Sequence, residues 1–405
     1  MTAIPTPRSP MVEEPTALSL RAALRRIPPG EHGPMSRLFR RDAVAADFVE
    51  RFTGLPSAPR SEMVVQYQVP DTGIPLLLGV YGDINRVRAL LPGLPRRANQ
   101  ETVNTLIDAA IPPVHVMRAR DRWPHVDLYR LPMLTRRDAE RYLTLGVAYA
   151  NRGDAVVLSA HRMLVLDQSR LAVCMGPDEA LANLRAEALA TGERLPVSVN
   201  IGAPPAATVA SALTSQLWPV DKLALAGALA GAPVALTVGA KTTVLADSEI
   251  VLEGYLDETM SDGRPVLTVT GVTARPEPLY QSMLEEGREQ SVVLGLAGAL
   301  SVARAVDDEL VTDVHHSPAG GGMLLLVVSV RKRSHADDHR LADVARRAFD
   351  RHPFGRLIVF TDDDVDASCA EDVLWAMATR GTPRSEWPRG DERGFIDATL
   401  PFGRA

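Results

Sequence analysis

The central part of the sequence constrains the fold most, because short strand patterns follow one another there with few helices between them. Residues 155–166 and 170–175 flank Asp167-Gln168-Ser169 and predict a β-hairpin. Further strand patterns occur at 197–201, 234–238, 249–256 and 266–273. Helical patterns interrupt or close the region at 178–191, 205–216 and 284–305. Many short strands with few helices are typical of a barrel.

Alternating helix and strand patterns flank this central part on both sides. Before it, the apolar strand pattern at 76–81 leads into Gly82-Asp83, which favours a helix N-cap. The fold class predicted is therefore a multidomain α+β and α/β protein. Its predicted parts are a Pro-rich disordered tail at 1–15, an N-terminal α/β domain at 16–115, a central barrel domain at 116–310 and a C-terminal α/β domain at 311–405.

Charge and cysteine content exclude some classes of protein. The chain has 44 Lys and Arg against 50 Asp and Glu, a net charge of -6. This balance predicts no nucleic-acid partner, which would show as a basic domain. The first 14 residues lack the apolar core of a secretory signal. Cys174 and Cys369 lie far apart in sequence and favour reduced thiols. A cytoplasmic protein is expected.

One uncharged run, residues 223–240, is long enough to raise the question of a membrane span. It consists largely of Ala and Gly, is broken by Pro233, and lies between Lys222 and Lys241. We interpret it as a buried turn followed by a strand, and expect no membrane association.

The strand pattern at 249–254 carries two carboxylates on one face, because Glu249 and Glu253 are four residues apart. Carboxylates that face a protein interior need partners or raised pKa values. A catalytic role stays open for them, but we favour hydrogen bonding to the loops of the barrel.

Seven short segments, in the same order along the chain, resemble the UbiD family of prenylated-FMN-dependent decarboxylases. They are Val80–Asp83 with Arg88, Ala160–Asp167 with Arg170-Leu171, Pro196–Ala210, Glu249–Gly254, Phe360–Asp366, Val373–Ala376 with Thr379-Arg380, and Asp397–Thr399. The resemblance covers about residues 19–401. It implies a UbiD-like fold with an N-terminal α/β domain, a central flavin-type split β-barrel and a C-terminal α/β domain.

The resemblance also implies roles for individual residues. Arg162 matches the family's catalytic Arg, which lies over the flavin and binds the substrate carboxylate, a task for which a planar forked donor is well suited. Ser159 and Ser211 match positions that face the flavin or its phosphate, and Arg393 matches a phosphate-binding Lys. Together with Lys222, these three residues are the candidate cofactor-binding residues.

The family's metal ligands are not matched. An Asn ligand falls on Val157, which has no donor atom, and a His ligand falls near Asp178-Glu179. The third ligand, a Glu, falls on Lys222, whose charge repels a metal. We expect no divalent metal, and weak or no binding of prenylated FMN. Two interpretations stay open. In the first, the Lys222 ammonium replaces the metal, by contacting a phosphate directly or by pairing with Glu179. In the second, Lys222 and Glu179 both lie on the solvated surface of a site that has lost its function.

The family's catalytic acids lie in a loop of the type Glu-Gly-Pro-Phe/Tyr-Gly-Glu/Asp, which is missing here. Residues 255–265 run directly into the next strand. The resemblance therefore predicts a divergent active site with no carboxylate beside Arg162. We interpret Asp257, Glu258 and Asp262 as ordinary turn residues rather than substitute acids.

Three functions remain open at this level, because a fold alone does not choose among them. The first is a UbiD-like carboxy-lyase, or its repurposed descendant, that acts on a small unsaturated or aromatic carboxylic acid bound by Arg162. The second is a metal- and flavin-independent enzyme of another reaction type in the same pocket. The third is a non-catalytic partner of an active homologue. A homo-oligomer is expected, with a dimer through the C-terminal domain as one form.

One further motif lies outside these segments. His315-His316 is followed by Gly320-Gly321-Gly322, a composition found in metal and phosphate loops. The motif lacks the Gly-Lys-Ser/Thr ending of a P-loop. We interpret it as a mobile loop before the strand at Met323.

Overall fold

The computed structural model describes residues 15–33, 39–51, 62–135, 140–176, 179–381 and 393–403, so the tail predicted for residues 1–15 lies outside the described residues except for Pro15. The N-terminal part consists of α1 Leu20–Arg26, α2 Arg41–Arg51, β1 Val65–Tyr67, β2 Leu76–Leu78, α3 Ile84–Leu90, α4 Gln100–Asp108 and β3 Val114–His115. As predicted, Asp83 caps α3, because its Oδ1 accepts the N–H groups of Asn85 and Arg86.

The central part contains most of the strands. Its elements are β4 Asp121–Arg122, β5 Leu134–Thr135, β6 Arg141–Arg152, β7 Ala155–Val165, β8 Arg170–Cys174, α5 Ala180–Ala190, β9 Pro196–Ile201, α6 Pro205–Ser211, α7 Lys222–Ala230, β10 Ala235–Val238, β11 Thr243–Leu245, β12 Ile250–Thr259, β13 Pro265–Ala274, β14 Tyr280–Gln281 and α8 Arg288–Val306. Strands β12, β9, β6, β7, β8 and β13 pair in that order, and β12 also pairs with β13. The sheet therefore closes into the barrel that the sequence predicts.

The predicted hairpin is formed by β7 and β8. Asp167 Oδ1 accepts the N–H groups of Ser169 and Arg170 at 2.8 and 2.9 Å, which stabilises the turn. The hairpin register pairs Arg162 with Cys174. Where β12 and β13 close the barrel, β12 has a bulge, because the register shifts between Glu253 and Gly254.

The C-terminal part is an α/β layer with β15 Val311–His316, β16 Leu325–Val330, α9 Leu341–Arg351, β17 Leu357–Asp362, α10 Ala370–Thr379 and β18 Gly394–Ala398. The four strands pair in chain order, and β16, β17 and β18 are parallel. Helix α8 joins this layer to the rest of the chain, because it packs on α4 and α6 on one side and on β15 and α9 on the other.

Two expectations from the sequence are wrong. The first half of the 223–240 run is not a turn but helix α7, which begins after the N-cap Asp221 and ends at Gly231 with φ 68°. His315 and His316 do not lie in a loop, because they form the end of β15 and pair with β16. No helix within the described ranges is long and apolar enough to cross a membrane.

Candidate active site

Arg162 lies on β7, where its side chain is 42% exposed. Its Nη1 donates a hydrogen bond to Glu285 Oε1 at 2.7 Å. The guanidinium also stacks on the ring of Tyr142, from the neighbouring strand β6, at 5.0 Å from the ring centroid. Arg162 is therefore held by two contacts and still has donors that can reach a ligand.

The expectation that no carboxylate stands beside Arg162 is wrong. Glu285 occupies that position, although it is 123 residues away in sequence. It lies in the segment between β14 and α8, three residues before α8 begins. Its side chain is 21% exposed, so solvent still reaches it. Sequence reasoning missed Glu285 because only the barrel fold brings this segment against β7.

Of the three acidic residues interpreted as turn residues, one lies in a turn and two lie in a strand. Asp262 lies in the turn between β12 and β13, where it forms an ion pair with Arg264 at 2.7 Å. Asp257 and Glu258 instead extend β12. Asp257 forms an ion pair with Arg194.

A second group of polar residues lies on the other face of β7. The strand alternates, so Ser159 and His161 are buried while Arg162 is exposed. His161 Nε2 shares a hydrogen bond with Ser159 Oγ at 2.8 Å, and its Nδ1 lies 3.5 Å from Glu179 Oε2. Sequence reasoning quoted His161 in a motif but assigned it no role. The available signal was its spacing of two residues from Ser159.

Lys222 completes this group, because its buried Nζ donates to the carbonyl oxygen of Ser211 at 3.1 Å. Burial lowers the pKa of Lys222 to about 7, against the attraction of Glu179, which raises it. Burial also lowers the pKa of His161. Lys222 has three donors and one hydrogen bond within the described structure, so two donors remain for a ligand.

The donor set of this group does not fit a divalent metal. Val157 is buried and offers no donor, and Lys222 is a cation below its pKa. Within the described parts of the chain, no group of three or more His, Cys, Asp or Glu side chains is placed to hold a metal ion. The Lys222 ammonium and the Ser159 hydroxyl do fit a phosphate.

Of the candidate cofactor residues, the structure brings Ser159, Ser211 and Lys222 together but places Arg393 elsewhere. Ser211 Oγ donates to the carbonyl oxygen of Thr208 at 2.7 Å, so it is the backbone of Ser211 that contacts Lys222. Arg393 lies just before β18, with its guanidinium 5.5 Å from the ring centroid of Phe349 in α9.

The two carboxylates of the 249–254 strand bind other parts of the chain. Glu249 accepts hydrogen bonds from the Arg21 guanidinium, at 2.7 to 3.1 Å, and from Leu279 N–H at 3.2 Å. Glu253 Oε1 accepts the N–H of Lys241 at 2.8 Å. These contacts support the hydrogen-bonding role favoured from the sequence.

Comparison with known proteins gives consistent matches. Residues 109–288 match the 3-octaprenyl-4-hydroxybenzoate carboxy-lyase Rift-related domain, UbiD, and residues 291–387 match the C-terminal domain of the same carboxy-lyase. The chain is 30% identical over 314 residues to anhydromevalonate phosphate decarboxylase of Archaeoglobus fulgidus, covering 69% of this chain and 72% of that protein. It is 27% identical over 287 residues to gallate decarboxylase of Lactiplantibacillus plantarum, covering 62% of this chain but only 59% of that protein.

A solved structure shares the whole architecture. The evolved dimeric form of the UbiD-class enzyme HmfF from Pelotomaculum thermopropionicum, in complex with prenylated FMN, superposes with a TM-score of 0.80 at 24% identity, and covers 95% of each chain. This likeness confirms the predicted fold class.

Proposed function

Because the chain belongs to the UbiD family, we propose that it is a carboxy-lyase acting on a small unsaturated or aromatic carboxylic acid, with Arg162 binding the carboxylate. One observation carries this proposal. The half-exposed Arg162 guanidinium stacks on Tyr142 and lies 2.7 Å from a carboxylate, that of Glu285. Similar proteins that are decarboxylases support the reaction class.

Arg162 and Glu285 together can serve both steps of a decarboxylation, the loss of carbon dioxide and the protonation of the carbon that carried it. The guanidinium binds the substrate carboxylate through parallel N–H donors and orients the bond that breaks. Carbon dioxide then leaves, and its bonding electron pair stays on the substrate carbon. A proton passed from solvent through the Glu285 carboxyl group to that carbon completes the reaction.

Prenylated FMN, when bound, would supply a conjugated ring system that takes up electron density as the carboxylate leaves. In this chain Ser159 and Lys222, the latter positioned by the backbone of Ser211, are the residues proposed to hold it. Lys222 would contact the phosphate directly, without a divalent metal, because its buried ammonium has donors to spare. The weak binding expected from the lost metal ligands stays a prediction.

The proposal is tested with protein from cells that also make prenylated FMN, by measuring carbon dioxide release from a panel of small unsaturated and aromatic acids. Arg162→Ala should abolish turnover. Glu285→Gln should lower kcat by about a hundredfold or more while leaving KM little changed, as expected for the loss of a proton donor. A matched control is the Arg152–Glu193 pair, another Arg–Glu ion pair on a barrel strand, at 3.0 Å.

The control variants Arg152→Ala and Glu193→Gln should retain activity. Turnover that survives Arg162→Ala would contradict the proposal. If an active homologue also copurified with that variant, the non-catalytic partner hypothesis would replace the proposal. Turnover that needs Arg162 in protein free of flavin would favour the flavin-independent enzyme.

A further inference from the structure

A cavity of about 1110 Å³ lies away from Arg162 and Lys222, between three parts of the chain. One wall comes from α3 and the loop that precedes α4. The second wall is one face of α8, and the third is formed by β15 with residues 363–371. Leu94, Val292, Leu296 and Leu300 give the cavity an apolar side. Such a mixture of apolar wall and a few polar groups is typical of small-molecule sites.

Four of the five acidic side chains around this cavity are already engaged, and the fifth, Glu371, is exposed in the first turn of α10. Asp363 forms an ion pair with Arg331, and Asp364 forms one with Arg380 at 2.7 Å. Asp366 accepts hydrogen bonds from the backbone and hydroxyl of Ser368 at 2.9 and 2.7 Å. Asp313 accepts the N–H of Ala98 at 2.8 Å and faces Arg88 and Arg97, while burial raises its pKa to about 6.

The basic side chains are not engaged in the same way. Within the described structure, the guanidinium groups of Arg96 and Arg97 make no hydrogen bond or ion pair, and both residues are exposed. Arg88 donates once, to the carbonyl oxygen of Arg96 at 3.2 Å, and its buried Nε has no partner. The guanidinium groups of Arg88, Arg96 and Arg97 therefore have donors left available to a ligand in this cavity.

His316 adds an unpartnered polar group to the wall. The residue is 3% exposed, and neither ring nitrogen has a hydrogen-bond partner among the described residues. Its ring packs edge-on against His352, with centroids 4.6 Å apart. A buried imidazole without partners is destabilising, and a ligand oxygen would satisfy its N–H.

We propose that this cavity is a binding site for a small organic phosphate. The phosphate group would contact Arg88, Arg96 and Arg97, and the organic body would pack on the apolar face of α8. Three guanidinium groups favour a dianion over a single carboxylate, because each can donate two parallel hydrogen bonds to phosphate oxygens. This site is separate from the proposed active site and does not depend on the proposed function.

Isothermal titration calorimetry with phenyl phosphate, at constant ionic strength, tests the site. The parent protein should bind phenyl phosphate in a saturable manner, and phenol, which lacks the charge, should not bind. The double variant R96Q/R97Q should bind phenyl phosphate about tenfold or more weakly. A matched control is R25Q/R26Q, which removes two exposed charges at the end of α1 and should bind like the parent.

The Lys222→Met variant separates this site from the one near the barrel, and it should keep full affinity. The proposal is overturned by a parent protein that shows no saturable binding. It is also overturned if R96Q/R97Q and R25Q/R26Q lose affinity equally, because the loss would then come from the lower net charge of the protein and not from this cavity. Loss of binding in Lys222→Met with retention in R96Q/R97Q would assign the phosphate to the barrel site instead.

Discussion

At the scale of single residues, Lys222 has the most unusual environment of the candidate cofactor-binding residues. A lysine in water is almost fully charged at neutral pH, but burial lowers the pKa of Lys222 to about 7. One carbonyl oxygen, that of Ser211, is its hydrogen-bond acceptor in the described structure. An anionic ligand at this position would restore the charged form, because a nearby negative charge favours the ammonium.

We predict that FMN, used as a probe, binds without a divalent metal and through Lys222. Fluorescence titration in EDTA should detect binding that weakens as pH rises above about 7, where Lys222 loses its proton. Lys222→Met should bind about tenfold or more weakly and lose this pH dependence. Lys241→Met, at an exposed lysine, serves as the control. Binding that EDTA abolishes, or that survives unchanged in Lys222→Met, would contradict the prediction.

At the scale of elements, the contact between β12 and β13 decides whether the barrel closes. At the bulge, a Cβ on Gly254 would lie 2.0 Å from the carbonyl oxygen of Thr268 on the opposite strand. Gly271 pairs with Glu253 on the opposite strand, but nothing lies within 4 Å of where its Cβ would stand. Two glycines in neighbouring strands therefore differ in what they can tolerate.

Gly254→Ala should destabilise the protein by about 2 kcal/mol or more, because the added methyl group must push the two strands apart. Gly271→Ala, the matched control, should change stability by about 0.5 kcal/mol or less. Thermal unfolding followed by circular dichroism measures both. Equal unfolding midpoints for the two variants would contradict the close approach of β12 and β13 at Gly254.

At the scale of the whole molecule, helix α8 connects all three parts of the chain. Glu289, in its first turn, accepts the N–H groups of Gly79 and Tyr81 at 2.7 and 2.9 Å. Burial, together with the nearby Glu62 carboxylate, raises the pKa of Glu289 to about 8. Burial likewise raises the pKa of Glu62 to about 7. Two adjoining carboxylates at this junction therefore keep protons that the unfolded chain would lose.

This linkage predicts a pH dependence of stability. Below pH 4.5, the ordinary pKa of a Glu, both states hold the protons and the stabilisation is complete. Between that value and about 8 only the folded state holds them, so stability should fall as pH rises. Unfolding midpoints measured from pH 5 to 8 should fall less steeply for Glu289→Gln than for the parent. Glu309 forms an exposed ion pair with Arg333, so the unfolding midpoint of the control Glu309→Gln should fall with pH as steeply as that of the parent.

The sequence was sufficient wherever contacts are local or periodic. The β7–β8 hairpin follows from alternation around Asp167-Gln168-Ser169, and the cap at Asp83 follows from one side chain beside a helix start. The resemblance of ordered segments also predicted the fold class and pointed to Arg162. Helix α7 was missed although Asp221 and Gly231 signal its ends, because an Ala- and Gly-rich run has no amphipathic pattern.

The chemistry of the site depended on contacts between distant segments. Glu285 reaches Arg162 across 123 residues, and no spacing in the sequence indicates that pairing. Burial sets the lowered pKa of Lys222, and burial beside Glu179 sets that of His161. Neither environment can be inferred from the residues next to Lys222 or His161 in the sequence. The sequence by itself indicated the barrel and pointed to Arg162, because strand periodicity and short motifs depend on residues that are close together in the chain. Only the closed fold decided which carboxylate stands beside that guanidinium, because side chains from separate elements meet only after the strands have paired.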